Sequence, residues 1–138
     1  MAENAASTED LSLRARTRLA HIEAIRDAAE YLIQQAPTGT DQHAAPGEHI
    51  TAARRARIHA LHVLDSAVLL DLASGASWEL IAERLGLPVD GARARYEQMW
   101  LAWQSSQTPA SATPAELDSW YTRVCPEAPP NAVSAGLF

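Results

Sequence analysis

The chain has 138 residues, 47% hydrophobic and 20% charged, which is enough apolar material for one core and too little length for two full domains. A net charge of −6 argues against a protein that coats nucleic acid nonspecifically, because that affinity comes from neutralising phosphates. The single cysteine, Cys125, excludes an internal disulfide and any multi-cysteine zinc site. The opening MAENAASTED is acidic where a signal peptide needs basic residues, and no stretch approaches the roughly 20 apolar residues of a membrane helix, so a cytoplasmic protein without membrane contact is expected. Alanine supplies 28 residues and all 11 basic residues are arginine, the bias of a GC-rich bacterial genome.

Residues 8–35 read as a long helix opened by Ser7 or Thr8, with Glu9 and Asp10 in the first turn complementing the helix dipole. Leu11, Ala15, Leu19, Ile22, Ile25, Ala29, Leu32 and Ile33 recur at helical spacing and form one apolar stripe. Such a stripe faces a core, a second copy of the chain, or both. Residues 36–47 hold two prolines and two glycines and form a loop. A second helix runs from about Glu48 to Ala73 and stops at Gly75. Leu61, Leu64, Val68 and Leu72 lie on one of its faces and Val63, Ala67 and Leu70 on another, the pattern of a helix packed between neighbours.

Gly75 to Trp103 is the informative stretch. Ser77 caps a short helix from Trp78 to Leu85, Gly86 breaks it, and a further helix starts near Val89 and continues to about Trp103. Ile81, Ala82 and Leu85 face one way, and Ala92, Tyr96, Met99, Trp100 and Trp103 make one stripe of the next helix. Small Ala82 lets the two helices approach, which is the pattern of a helix-turn-helix. Residues 104–113 read as a flexible linker. Thr113, Pro114 and Glu116 then mark a strong helix start, and Leu117, Trp120, Tyr121 and Val124 share one side of a docking helix that Pro126 ends. The remaining proline-rich tail is expected to be extended.

The run from Ser77 to Tyr96 resembles the helix-turn-helix of the fourth region of bacterial sigma factors. It is more closely similar to small actinobacterial regulators with a GxSWxxIxxxLG pattern, matched here by Gly75, Ser77, Trp78, Ile81, Leu85 and Gly86. The resemblance covers roughly 30 residues and implies that the helix from Val89 enters the DNA major groove. Carried over by position, the groove-facing residues are Pro88, Val89, Asp90, Arg93, Ala94 and Glu97. The chain departs from the pattern at Pro88, where such motifs carry a capping serine or threonine, and at Gly91, which costs about 1 kcal/mol of helix propensity.

Arg93 is the best base-reading candidate, since arginine binds guanine in bidentate fashion. Arg95 reaches either a backbone phosphate or an acid such as Glu83 or Asp71. Arg54, Arg55 and Arg57 form the densest basic cluster, read either as a phosphate clamp or as a solvated helix end paired with acids of the first helix. His59, His62 and Asp65 recur at three-residue spacing, yet nothing in the sequence completes a metal site, so no metal or cofactor is expected. His21, His43 and His49 carry no metal spacing, and Cys125 reads as a bystander thiol. With no nucleophile–base set and no glycine-rich phosphate loop, an enzyme is not expected.

The expectation is an all-α bundle in three segments: an N-terminal helix and loop (1–47) suited to dimerisation, a central helix plus helix-turn-helix (48–104), and a linker, docking helix and extended tail (105–138). The expected function is sequence-specific DNA binding and transcription regulation as a homodimer, since two linked recognition helices gain by effective concentration. The alternative is a helical protein-interaction module, docking a protein of the transcription machinery, that keeps the helix-turn-helix shape without binding DNA.

Overall fold

The computed structural model describes residues 11–39, 44–106 and 111–137. The described residues include five α-helices and a short 3₁₀ turn, with no strand among them: α1 Leu13–Gln34, α2 Glu48–Ala73, α3 Trp78–Leu85, α4 Val89–Ser105, α5 Pro114–Val124 and the turn Ser134–Gly136. None of the described helices is long and apolar enough to cross a membrane.

The start of α1 differs from the sequence expectation. Ser12 is its cap, its Oγ accepting the Ala15 N–H at 3.1 Å, and the first turn contains no acid. Ser7, Thr8, Glu9 and Asp10 lie outside the described residues. The helix-stopping glycines behave as expected. At Gly75 (φ +99°) the Ala76 N–H reaches back to the Asp71 carbonyl at 2.9 Å, closing the end of α2.

Antiparallel α1 and α2 form a hairpin pinned along its length. Arg14 Nε donates to Ser74 Oγ at 3.3 Å, His21 Nδ1 lies 2.7 Å from Ser66 Oγ, and the Tyr31 hydroxyl donates to the Ala52 carbonyl at 3.1 Å. His21 Nδ1 and Ser66 Oγ share one proton, and Ser66 Oγ also stands 3.0 Å from the Val63 carbonyl.

Two apolar cores flank this hairpin. One gathers Ala15 and Leu19 of α1, Ala112, Leu117 of α5, and Val133 and Leu137 of the tail, with Leu11, Ile22 and Tyr121 at its edge. The other gathers Val68 of α2, Ile81 and Ala82 of α3, and Ala92 and Tyr96 of α4. Trp103 of α4 is a member of neither cluster and reaches α1. Its indole N–H donates to buried Thr17 at 2.7 Å, its ring lies 4.4 Å from the Arg16 guanidinium carbon, and its carbonyl accepts from Arg16 at 3.2 Å.

The docking helix is held by buried Leu117 and Trp120, whereas Val124 of the predicted docked side is exposed. The segment before it is less loose than its composition suggests: Glu23 accepts from Ser111 Oγ at 2.6 Å and from the Ala112 N–H at 2.7 Å. Residues 107–110 of that predicted linker lie outside the described residues. The tail is not extended. Asp118 Oδ1 accepts the N–H groups of Val133 at 2.9 Å and Ser134 at 3.0 Å, and this cap turns the chain so that Val133 and Leu137 are buried.

The apolar stripe of α1 is only half used. Ala15 and Leu19 are buried, whereas Leu32 and Ile33 at the loop end are exposed, as are Ile50, Ile58, Leu61 and Leu64 of α2.

Candidate nucleic-acid interface

Local chemistry sets the angle between α3 and α4. Ser77, in extended backbone conformation, caps α3 by accepting the Leu80 N–H at 3.1 Å. Gly86 takes a left-handed conformation (φ +71°), so that its own N–H meets the Glu83 carbonyl at 3.2 Å and the Leu87 N–H meets the Ala82 carbonyl at 3.0 Å. Such a paired closure needs φ > 0, which a side chain would strain. Pro88 opens α4 without a side-chain cap, leaving Asp90 to complement the dipole in the first turn.

Packing then decides which face of α4 is presented. Ala92 and Tyr96 are wholly buried against Ile81, Ala82 and Val68, with Trp78, Leu85 and Val89 at the edge of the cluster. The Tyr96 hydroxyl donates to Asp65 Oδ1 at 2.9 Å. Burial, then the Asp65 carboxylate, raises the pKa of Tyr96, opposed by the Arg95 cation. Asp90, Arg93 and Ala94 are exposed, and Val89 and Glu97 are half-buried. The structure thus brings the predicted groove-facing residues together on the outer arc of α4.

Arg93 is exposed but engaged. Its Nη1 lies 3.0 Å from Glu97 Oε2, and its guanidinium carbon lies 5.5 Å from the centre of the Trp78 ring. With both side chains more than two-fifths exposed, a pair of this kind is worth only roughly 0.3–0.5 kcal/mol, so a stronger acceptor displaces Glu97 readily. Arg95 pairs with neither Glu83 nor Asp71 among the described residues; its guanidinium carbon instead lies 5.6 Å from the Tyr96 ring centre. Exposed Glu79, Glu83 and Arg84 of α3 border the arc, so the surface of the motif is close to neutral.

Arg54, Arg55 and Arg57 line an open depression of about 430 Å³ with Thr51 and Ile58. Among the described residues none of the three makes an ion pair, so they are not neutralised by acids of α1. About 16 Å of helix axis separate Arg57 from Val68, where α2 enters the α3–α4 core, and the exposed Leu61 and Leu64 lie between. Apolar side chains therefore stand along α2 between this cluster and the α3–α4 core.

His59 stacks on Tyr31 with ring centres 4.6 Å apart and Asp65 is bonded to Tyr96, so the predicted His59, His62 and Asp65 spacing does not converge on one point. His43 lies outside the described residues. The contact of Trp78 with Arg93 escapes the sequence reading. No protein-family model, curated protein or solved structure matches the chain.

Proposed function

We propose that this chain is a DNA-binding transcription regulator that inserts the first turns of α4 into the major groove and acts as a homodimer. The carrying observation is the α3–turn–α4 geometry: Gly86 closes the turn, Ala82 and Ala92 permit close helix approach, and Asp90, Arg93 and Ala94 are left facing outward at the start of α4. Its resemblance to the regulator motif points the same way. In this reading Arg93 exchanges Glu97 for a guanine edge, and Arg55 and Arg57 of α2 meet backbone phosphates beside the groove.

Titration with DNA selected from a random pool tests it, at two salt concentrations. Arg93→Ala is expected to weaken binding to the selected site by about 1–3 kcal/mol, and Arg55→Ala or Arg57→Ala to weaken binding to all sequences while lowering the salt dependence. No selected DNA, or an Arg93→Ala variant that binds like the parent, defeats groove insertion.

A second reading has its own support. The α3–α4 surface sets Glu79, Glu83, Asp90 and Glu97 against Arg84, Arg93 and Arg95, a balance that attracts phosphate weakly. In that reading the motif docks a protein of the transcription machinery, and the same selection returns no DNA.

A further inference from the structure

We infer that the outer stripe of α2 joins two copies of this chain in antiparallel pairing. Arg54, Ile58, Leu61 and Asp65 follow at spacings of four, three and four, which places them on one face of the helix. The opposite face is the one engaged by α1, through Ala52, His59 and Ser66. Towards its C-terminal end the outer face is continued by Val68 and Leu72, which belong to the α3–α4 core. Towards the N-terminal end it is bare: Ile58 is 56% and Leu61 41% exposed, and Ile50 and Leu64 beside them are exposed too. Apolar side chains at this spacing are the pattern by which a helix packs on another helix.

The chemistry of the stripe selects its occupant. Read along α2 the order is cation, apolar, apolar, anion, so in a reversed second copy each group meets its complement. Arg54 faces Asp65 of the second copy and Ile58 faces its Leu61, and both contacts occur twice. A two-fold interface requires this kind of self-complementarity. The charged ends are about 16 Å apart along the axis, so two ion pairs bracket an apolar centre. Arg54 makes no ion pair among the described residues. Asp65 gives one oxygen to Tyr96 at 2.9 Å, and its Oδ2 has no hydrogen-bond partner among the described residues. Arg57 falls opposite His62 at the rim, where solvent screens the contact.

This inference rests on the dimeric part of the functional proposal but is read without DNA. Sedimentation equilibrium of the full chain is expected to give a dimer. Leu61→Glu and Arg54→Glu each raise its dissociation constant at least about tenfold, because symmetry repeats every lost contact. Both side chains are exposed, so helical circular dichroism is expected to stay unchanged. In a Cys125→Ser background, mild oxidation of mixed Ile58→Cys and Leu61→Cys chains is expected to link position 58 to position 61 in preference to like positions. A monomer at high micromolar concentration, a dimer indifferent to both charge substitutions, or links between like positions overturns the inference. A dimer of the expected kind that selects no DNA leaves this interface standing and defeats only groove insertion.

Discussion

The two cores of this molecule are built in opposite ways. The α3–α4 core closes within one short stretch, from Val68 to Tyr96, whereas the core around Leu19 draws Ala15, Leu117, Val133 and Leu137 from opposite ends of the described chain. A local core is set by caps and turns that act on their immediate neighbours, so each part has its own signal. The distant core has caps at Ser12 and Thr113, but these start its helices without bringing them together. It depends on polar side chains that reach across the fold: Glu23 holds the chain entering α5, and Asp118 caps the tail.

The largest expected effect strikes the distant core. Leu19 is fully buried, and Leu19→Ala is expected to cost about 3 kcal/mol in urea unfolding, within the roughly 2–5 kcal/mol span of such truncations. A cost under about 1 kcal/mol means that α5 and the tail add nothing to α1, and the comparison fails.

The local core is expected to gain from a substitution instead. A methyl group at Gly91 meets only Pro88 Cδ at 3.6 Å and Leu87 Cβ at 3.9 Å, which is ordinary contact, and the residue does not have a positive φ. Gly91→Ala is therefore expected to stabilise the protein by about 0.5–1 kcal/mol in the same measurement, through the lower chain entropy of the unfolded state. A destabilised variant means that the start of α4 is tighter than its packing indicates.

The smallest effect probes the hairpin between the cores. Burial lowers the pKa of His21 from its ordinary value near 6.5, and the charge of Asp71 only partly opposes this. The unfolded chain then binds the proton more readily than the folded one. The stability contributed by neutral His21 is present above about pH 6.5 and is lost as pH falls through that value towards the lower folded pKa. His21→Gln is expected to flatten the stability profile between pH 7.5 and about pH 5; an unchanged slope assigns the acid sensitivity elsewhere.

Legibility from sequence follows the same division. Ser77, Gly75 and Gly86 mark the limits of α2 and α3 because each acts on residues within a turn of itself. Tyr96 and Ala92 are legible as core from the spacing of the α4 stripe, and the i,i+4 spacing of Arg93 and Glu97 signals their ion pair. The start of α1 is misread because Ser7 and Thr8, followed by two acids, make a stronger local signal than Ser12. The prolines of the tail suggest extension, but no local pattern reveals that Asp118, 15 residues before Val133, supplies the acceptor that bends it. Leu61 and Leu64 share a face with Val68, and only the placement of α4 separates the exposed pair from the buried residue.

Trp103 belongs to neither core, yet it grips α1 through its indole N–H, its ring face and its backbone carbonyl at once. Those three contacts have different directional demands, so no single sliding or twisting motion preserves them all. Mechanically, α4 is a lever clamped at its far end. A change in the tilt of α4 therefore has to bend or break its contacts with Arg16 and Thr17 of α1.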